Sequence, residues 1–226
     1  MRTQYITRRS EIETYFDRTA VKAWERLTSN EPVSSVRARV RAGRDSMRNT
    51  ILSYLPDDLR GVTILDAGCG TGAFAVAAAQ RGAVVTAIDL SPQLVSVARE
   101  RLPKDLKINF LSGDMLDPPL GRFDHVVAMD SIIHYRGADM INIISGLSRM
   151  AFGSMIFTFA PRTVPLTALW AAGKLFPRGD KSPAIEPQPP EKLRRELSQI
   201  DKFKLGRHHR VATGFYISQV QELIRT

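Results

Sequence analysis

A glycine-rich turn between a strand and a helix limits most strongly what this chain can fold into. Residues 65–72 read LDAGCGTG, directly after VTI and directly before AFAVAAAQRG. The first run predicts a buried strand, and the second predicts a helix. Gly68, Gly70 and Gly72 allow a sharp bend that brings the amides of a helix N-terminus close to a ligand. The segment therefore predicts the first strand–turn–helix unit of a ligand-binding α/β domain.

The carboxylate beside this turn indicates which ligand it suits. A glycine turn of this kind can hold the phosphates of a dinucleotide. Asp66, however, directly precedes the glycines and would repel a pyrophosphate. A carboxylate can instead accept hydrogen bonds from the ammonium of an amino-acid moiety. We therefore predict that the turn holds the methionine end of S-adenosylmethionine, with Cys69 in the turn as a small filler whose side chain takes no part in the chemistry.

Short apolar runs alternate with helical patterns after this unit, up to about residue 160. This alternation is typical of a mostly parallel sheet with helices on both faces. Further strands are expected in AVVTAID, LKINFLS, FDHVVAMD and FGSMIFTFA, with helices at about 91–102, 138–150 and 191–200. FKLGRHHRVATGFYISQVQEL predicts two last strands, antiparallel to each other, that turn near Thr213 and Gly214. We predict a Rossmann-like α/β sheet of seven strands whose last strand is antiparallel.

The segment before this sheet has a different pattern. Apolar residues at helical spacing predict two helices, at 11–28 and 32–54. We expect residues 1–60 to form an N-terminal helical cap, and residues 61–226 to form the methyltransferase domain.

Prolines interrupt the alternation after the fifth expected strand. The 32 residues that begin at Pro161 contain seven prolines, with one short helix expected at about 166–175. We predict that residues 161–190 are a lid-like insertion that covers the substrate.

Polar residues follow three more of the expected strands. Asp89, with Leu90 beside it, ends the second strand, where a carboxylate can bind ribose hydroxyls. Asp114 and Met115 follow the third strand and suit the edge and face of adenine. Asp130 follows the fourth strand, and we expect it at the same site. These positions resemble those of the seven-stranded class of S-adenosylmethionine-dependent methyltransferases.

The loop after the fourth strand bears on the methyl acceptor. Amino-methyltransferases that act on nucleic acids carry an N/D-P-P-Y/F turn there, whereas this chain reads MDSIIHY. Asp117, Pro118 and Pro119 come before that strand instead. His134 and Tyr135 follow it, close to the expected position of the methyl group. We therefore do not expect a nucleic-acid substrate.

Segments outside the glycine turn resemble one narrower family. YFDRTAVKAWERL, RAGRDSMR, AMDSIIHY, FPRGDKSPAIEP and TGFYISQ are similar to segments of the magnesium protoporphyrin IX O-methyltransferases of bacteriochlorophyll and chlorophyll synthesis. The resemblance covers most of the chain. It implies methyl transfer from S-adenosylmethionine to the C13 propionate of magnesium protoporphyrin IX, which gives the 13-monomethyl ester and S-adenosylhomocysteine. It also carries over Tyr15 and His134 as the active-site pair.

A propionate needs little chemical activation. Its ordinary pKa, about 4 to 5, makes it a carboxylate near neutral pH, so no strong general base is required. We expect His134 to hydrogen-bond the propionate and Tyr15 to close over the cofactor, with Arg18, Arg41 or Arg178 as an anchor. Axial ligation of the substrate's magnesium by His134 is the alternative role. A quinone or phenol, and less so RNA, are the alternative acceptors; a scaffold that only binds the cofactor is a further alternative.

Charge and cysteine content suggest where the protein works. Residues 1–60 carry 12 basic and 8 acidic side chains and residues 161–226 carry 12 and 6, whereas residues 61–160 carry 8 and 9. The basic flanks suit docking to the magnesium chelatase large subunit or to an anionic membrane surface, and the sequence leaves these two open. With one cysteine and no apolar run of membrane-spanning length, we expect a cytoplasmic monomer without a resident metal, and peripheral contact with the intracytoplasmic membrane stays an open alternative.

Overall fold

A computed structural model of the protein describes residues 2–19, 28, 34–116, 120–162 and 184–226. The side chains of residues 2–4, 18 and 19 are not described. Several predictions therefore lie outside the described residues: the Asp117-Pro118-Pro119 turn, the helix at 166–175, most of the lid-like insertion, Arg178 and the side chain of Arg18. Within the described ranges, no helix is long and apolar enough to cross a membrane.

One sheet of seven strands forms the centre of the molecule, in the order β3-β2-β1-β4-β5-β7-β6. Strand β7 runs antiparallel to both of its neighbours, and the pairings among β1 to β5 are parallel. This arrangement confirms the predicted fold class. The strands are β1 (Thr63–Ala67), β2 (Val84–Asp89), β3 (Ile108–Ser112), β4 (Phe123–Ala128), β5 (Ala151–Phe159), β6 (Phe203–Ala212) and β7 (Ile217–Arg225).

The helices lie close to the predicted positions, except at the N-terminus. The first helix begins at Arg2 and continues as a π-helical turn, Tyr15–Thr19, whereas the sequence pattern placed its start near residue 11. Contacts of its side chains with distant loops stabilise this early turn, and such contacts leave no periodic signal. The helices are α1 (Arg2–Thr14), α2 (Ser35–Leu52), α3 (Ala73–Gln80), α4 (Pro92–Glu100), α5 (Gly137–Ser148) and α6 (Pro190–Leu197).

Two apolar clusters cover the two faces of the sheet. Leu65, Val126 and Phe157 belong to the cluster that includes residues of α5, α6 and α1, and alternate residues of the same strands belong to the cluster with α2 and α3. Because both faces of the central strands are buried, their sequences are continuous apolar runs. Because β1 to β4 run parallel, the polar loops that follow them meet at one edge of the sheet, which we call the carboxyl edge.

Candidate active site

A cavity of about 290 Å³ lies at the carboxyl edge of the sheet. It is lined by the loops after β1, β2, β3 and β4, with side chains of α1 and α2 completing its wall. His134 lines this cavity, and so do all nine residues predicted to bind the cofactor. These nine are Asp66, Gly68, Cys69, Gly70, Asp89, Leu90, Asp114, Met115 and Asp130. The four loops that the sequence predicts to bind the cofactor therefore lie around one cavity.

The glycine-rich turn has the backbone conformation that its sequence predicts. Gly68 has a φ of +83°, and a Cβ at this position would collide with the side chain of Ser131 in the loop after β4. The amides of Gly68 and Cys69 donate to the carbonyl oxygen of Ile88 at 2.8 and 3.0 Å. Gly72, at φ +78°, starts α3 in the left-handed region. Only glycine allows both this curvature and this close approach.

Asp66 presents a buried carboxylate at the cavity. It is only 2% exposed, and its Oδ2 atom has no hydrogen-bond partner among the described residues. Burial, together with the nearby carboxylate of Asp89, raises the pKa of Asp66 to about 7. An ammonium group placed here would supply the missing donor and remove the electrostatic cost of ionising Asp66. The site therefore fits the amino-acid end of the predicted cofactor.

Asp89 is held in one orientation by two backbone donors. Its Oδ2 accepts from the amide of Gly70 at 2.8 Å, and its Oδ1 accepts from the amide of Ser91 at 2.9 Å. Burial raises the pKa of Asp89 above its ordinary value. Each carboxylate oxygen can accept a further hydrogen bond. The arrangement suits a ligand with two adjacent hydroxyls, as the ribose prediction requires.

Asp114 is bound by two residues of α1 that the sequence analysis did not identify. The hydroxyl of Tyr5 lies 2.8 and 2.9 Å from the two Asp114 oxygens, and Nη1 of Arg9 lies 2.9 Å from Oδ2. Burial raises the pKa of Tyr5, so its hydroxyl stays a donor. The Tyr5 ring stacks on Tyr135, with centroids 5.5 Å apart. These contacts join residues more than 100 positions apart, which no local pattern predicts.

Asp130 forms a polar cluster on the side of the cavity nearest α2. Its backbone is left-handed, with φ +53°. Its carboxylate accepts from Nη1 of Arg44 at 2.9 Å and from the hydroxyl of Tyr216 at 3.1 Å, and its amide donates to Thr158. Protein donors thus surround the carboxylate that we predicted to bind the cofactor, and that role stays a prediction. Arg44 lines the cavity, as does the predicted anchor Arg41.

His134 and Tyr15 both contact the ring of Phe16. His134, in a 3₁₀ turn (Ile132–His134), is 6% exposed, and its ring centroid lies 5.7 Å from that of Phe16. Tyr15 packs edge-to-face on Phe16 at 5.1 Å. Phe16 and His134 line the cavity, whereas Tyr15, which is half-buried, is not part of the cavity wall. The two residues of the predicted pair therefore share Phe16 as a neighbour.

Known proteins match this chain along its length. A family model described as "Magnesium-protoporphyrin IX methyltransferase C-terminus" matches residues 128–225, and one described as "Methyltransferase domain" matches residues 64–151. The magnesium-protoporphyrin O-methyltransferase of Rhodobacter capsulatus is 49% identical over 98% of this chain and 99% of the relative. The chain belongs to the magnesium-protoporphyrin O-methyltransferase family.

Solved and curated relatives agree with this family membership. The crystal structure of magnesium protoporphyrin IX methyltransferase from Synechocystis PCC 6803 with bound SAH superposes with a TM-score of 0.86 at 29% identity, covering 96% of this chain and 99% of that one. A ubiquinone biosynthesis O-methyltransferase of Xanthomonas oryzae pv. oryzae is 34% identical, but the match covers 54% of this chain and 55% of that relative. The similarity to these magnesium-protoporphyrin methyltransferases therefore covers nearly the whole chain, whereas the similarity to the ubiquinone enzyme covers about half of it.

Proposed function

We propose that the protein transfers the methyl group of S-adenosylmethionine to the C13 propionate of magnesium protoporphyrin IX, with the 13-monomethyl ester and S-adenosylhomocysteine as products. The observation that carries this proposal is the 49% identity to the Rhodobacter capsulatus magnesium-protoporphyrin O-methyltransferase over 98% of this chain. The aligned length includes the cap helices and the His134 loop. These parts line the cavity beyond the glycine turn, which many methyltransferases share.

The described residues fit S-adenosylmethionine at three positions. Asp66 would hold the ammonium, Asp89 the ribose hydroxyls, and Asp114 with Met115 the adenine. When bound, the cofactor supplies an electrophilic methyl group on a positively charged sulfur. The chain's part is to hold that cofactor along the carboxyl edge of the sheet, beneath α1.

The methyl acceptor requires position more than activation. A propionate is ionised near neutral pH, so the described residues need not remove a proton from it. Alignment of one carboxylate oxygen with the methyl group, in a cavity from which water is excluded, supplies up to about 7 to 11 kcal/mol of the barrier reduction. Ile12, Phe16 and Met115 give this cavity apolar walls, and Arg41 and Arg44 give it cationic groups.

His134 has two candidate roles at this site. In the first, its ring hydrogen-bonds the propionate and holds it for attack. In the second, its ring binds the substrate's magnesium as an axial ligand, which neutral imidazole also does. A His134→Ala variant with unchanged turnover would refute both roles. In the second role alone, loss of His134 would also change the absorption spectrum of the bound magnesium porphyrin.

The partners and the location of the protein belong to the same proposal. The basic flanks of the chain support docking to the magnesium chelatase large subunit or to an anionic membrane surface. We place the protein in the cytoplasm as a monomer, at the periphery of the intracytoplasmic membrane. Co-purification with the chelatase subunit, and sedimentation with anionic vesicles, test the two forms of docking separately.

Product analysis tests the proposed activity directly. The protein is incubated with methyl-labelled S-adenosylmethionine and magnesium protoporphyrin IX, and the pigments are separated and identified by mass. We expect one labelled monomethyl ester, and none when both propionates are esterified beforehand. Absence of a labelled ester would overturn the proposal. The partial match to a ubiquinone biosynthesis O-methyltransferase makes a catechol precursor of quinones the second acceptor to test.

A further inference from the structure

We infer that Arg8 is the positioning residue that sets the orientation of the His134 ring. Its guanidinium joins three separate parts of the chain: helix α1, the His134 turn, and the backbone at Ala184. Nε of Arg8 donates to the carbonyl oxygen of His134 at 2.9 Å, and Nη2 donates to the carbonyl oxygen of Ala184 at 2.7 Å.

The guanidinium is itself held in place. Nη1 of Arg8 pairs with Glu11 one turn along α1 at 3.0 Å, and the Arg8 side chain is 24% exposed. A guanidinium is a planar group whose N–H bonds point in fixed directions. Two of these bonds therefore fix the spacing between the carbonyls of His134 and Ala184. A lysine, with a single nitrogen, cannot reproduce both contacts in the same geometry.

The carbonyl of Ala184 is shared between Arg8 and the His134 ring. Nδ1 of His134 lies 3.4 Å from the same oxygen that accepts from Arg8. A carbonyl oxygen only accepts, so Nδ1 carries the hydrogen in this contact. Nearby, the amide of Glu186 donates to the carbonyl of Ile133 at 2.8 Å. Arg8 thus holds both the backbone of His134 and the acceptor that orients its ring.

This orientation matters for either proposed role of His134. With the hydrogen on Nδ1, a neutral ring carries a lone pair on Nε2, which can bind a metal or accept a hydrogen bond. A doubly protonated ring would donate from Nε2 to a carboxylate. Both roles require the ring orientation in which Nδ1 faces the carbonyl oxygen of Ala184 and Nε2 stays available for the substrate. Without Arg8, we expect a mixture of ring orientations and of the two neutral tautomers.

The ¹⁵N signals of the His134 ring nitrogens show directly which tautomer is present. Protein labelled with ¹⁵N-histidine is measured by two-dimensional NMR at pH 8.5, about two units above the ordinary imidazole pKa, with His134 assigned through a His134→Gln variant. We expect the intact protein to show the Nδ1–H tautomer at His134. Arg8→Ala is expected to shift the signals toward the mixture of tautomers. Arg60→Ala, which removes an exposed arginine paired with Asp58 outside the cavity, is expected to keep the original pattern.

Kinetics supply the second readout, which rests on the proposed function. We expect Arg8→Ala to lower kcat by about tenfold to a hundredfold, the size of effect caused by small misplacements of a reacting group. The dissociation constant for S-adenosylhomocysteine, measured by calorimetry, should change less than about twofold. Arg8→Lys should recover part of kcat, because one of the two contacts can reform. Arg60→Ala should match the unaltered protein.

The outcomes separate the two proposals. An unchanged His134 tautomer in Arg8→Ala would overturn the role of Arg8, whatever substrate the protein uses. A changed tautomer would support that role even if no porphyrin ester forms, in which case only the proposed function fails. If Arg8→Ala does not fold, Arg8→Lys carries the same tautomer measurement. An unchanged pattern there, with kcat also unchanged, would overturn the inference.

Discussion

We expect Asp66 to make cofactor binding depend on pH, because burial and the nearby carboxylate of Asp89 raise its pKa to about 7, within the physiological pH range. Below this pH the free protein holds a neutral carboxyl group, whereas the ammonium of the ligand requires a carboxylate. Affinity is therefore expected to fall as pH decreases, by roughly tenfold per unit below the pKa, since binding must first remove a proton. Calorimetry with S-adenosylhomocysteine at pH 5.5, 6.5 and 7.5 measures this slope.

Two variants separate the contribution of Asp66 from other titrations. Asp66→Asn should bind the ligand more weakly at pH 7.5, and its affinity should vary much less with pH. Asp105→Asn, at an exposed position before β3, should keep the original slope. Equal slopes in the Asp66→Asn variant and the unaltered protein would show that another group accounts for the pH dependence.

Substitutions of Asp130 test how much its left-handed backbone conformation costs in stability. Asparagine tolerates φ +53°, whereas alanine in this region is disfavoured by about 1 to 2 kcal/mol. Both substitutions remove the charge that faces Arg44, but asparagine keeps an oxygen that can accept from Arg44 or Tyr216, so the difference between them combines the backbone cost with the retained hydrogen bond. We expect Asp130→Ala to unfold at a lower denaturant concentration than Asp130→Asn, with a difference of about 1 kcal/mol in unfolding free energy. An equally stable alanine variant would contradict this account.

Residue types in the loops were predictable, but their partners were not. Asp66, Asp89 and Asp114 follow predicted strands, and parallel strands bring such loops to one edge of a sheet. The donors that surround Asp114 and Asp130 come from the cap helices, from β5, and from Tyr216 and Ser218 at the start of β7. Their contacts depend on how helices pack on the sheet, which no local spacing encodes. RAGRDSMR, one of the segments that resemble the family, includes Arg44, but nothing in it singles out this arginine.

At the scale of elements, helix α1 is attached to the rest of the molecule by a few polar contacts. Tyr5 binds Asp114, and Asp17, in the π-helical turn, accepts from the Ser91 hydroxyl at 3.1 Å and from the Gln93 amide at 3.3 Å, at the start of α4. Few apolar side chains of α1 are buried; Ile12 is the exception among its described side chains. We therefore expect α1 to open more readily than the sheet.

Tyr5→Phe tests this attachment. The substitution removes the hydroxyl and keeps the ring that stacks on Tyr135. A hydrogen bond to a charged group is worth about 1.5 to 3 kcal/mol when buried, and here, where the contact is partly buried, we expect about 1 kcal/mol. Hydrogen exchange in residues 2–14 should become roughly fivefold faster, while exchange in β1 stays unchanged. Ile6→Ala, on the exposed side of α1, should leave the rate nearly unaltered.

Helix α2 contacts the β6–β7 turn through a glycine. A Cβ at Gly43 would lie 2.6 Å from Cδ1 and 2.8 Å from Cβ of Tyr216. Gly43→Ala gains up to about 1 kcal/mol in helix propensity, but overpacking costs about 1 to 3 kcal/mol. We expect a net loss of stability in denaturant unfolding. Asn49→Ala, on the exposed face of the same helix, should show only the gain. A stabilised Gly43→Ala variant would mean that Tyr216 moves freely.

At the scale of the whole molecule, apolar periodicity predicted every strand and the antiparallel ending. It did not predict where α1 starts, because that turn depends on contacts with Asp114 and with the His134 loop. The charge distribution is a further property of the whole chain: the central segment is nearly neutral and both flanks are basic. The flanks meet in space, since the Thr213 hydroxyl in the β6–β7 turn donates to the carbonyl of Arg39 at 3.1 Å.

This meeting point is where we expect contact with an anionic membrane. Val36 and Phe215 are 42% and 55% exposed there, and Arg37 and Arg39 are exposed beside them. Each basic residue near an anionic surface contributes about 1 kcal/mol, and salt shortens the screening length from about 10 Å at 0.1 M to about 3 Å at 1 M. The protein should therefore sediment with vesicles containing phosphatidylglycerol at low salt and be released at high salt.

Replacing Arg37 and Arg39 by glutamine should weaken sedimentation, whereas the same change at Lys104 and Lys107, beside β3, should not. Equal sedimentation with uncharged vesicles would rule out an electrostatic contact, because neither the arginines nor the salt would then have a surface charge on which to act.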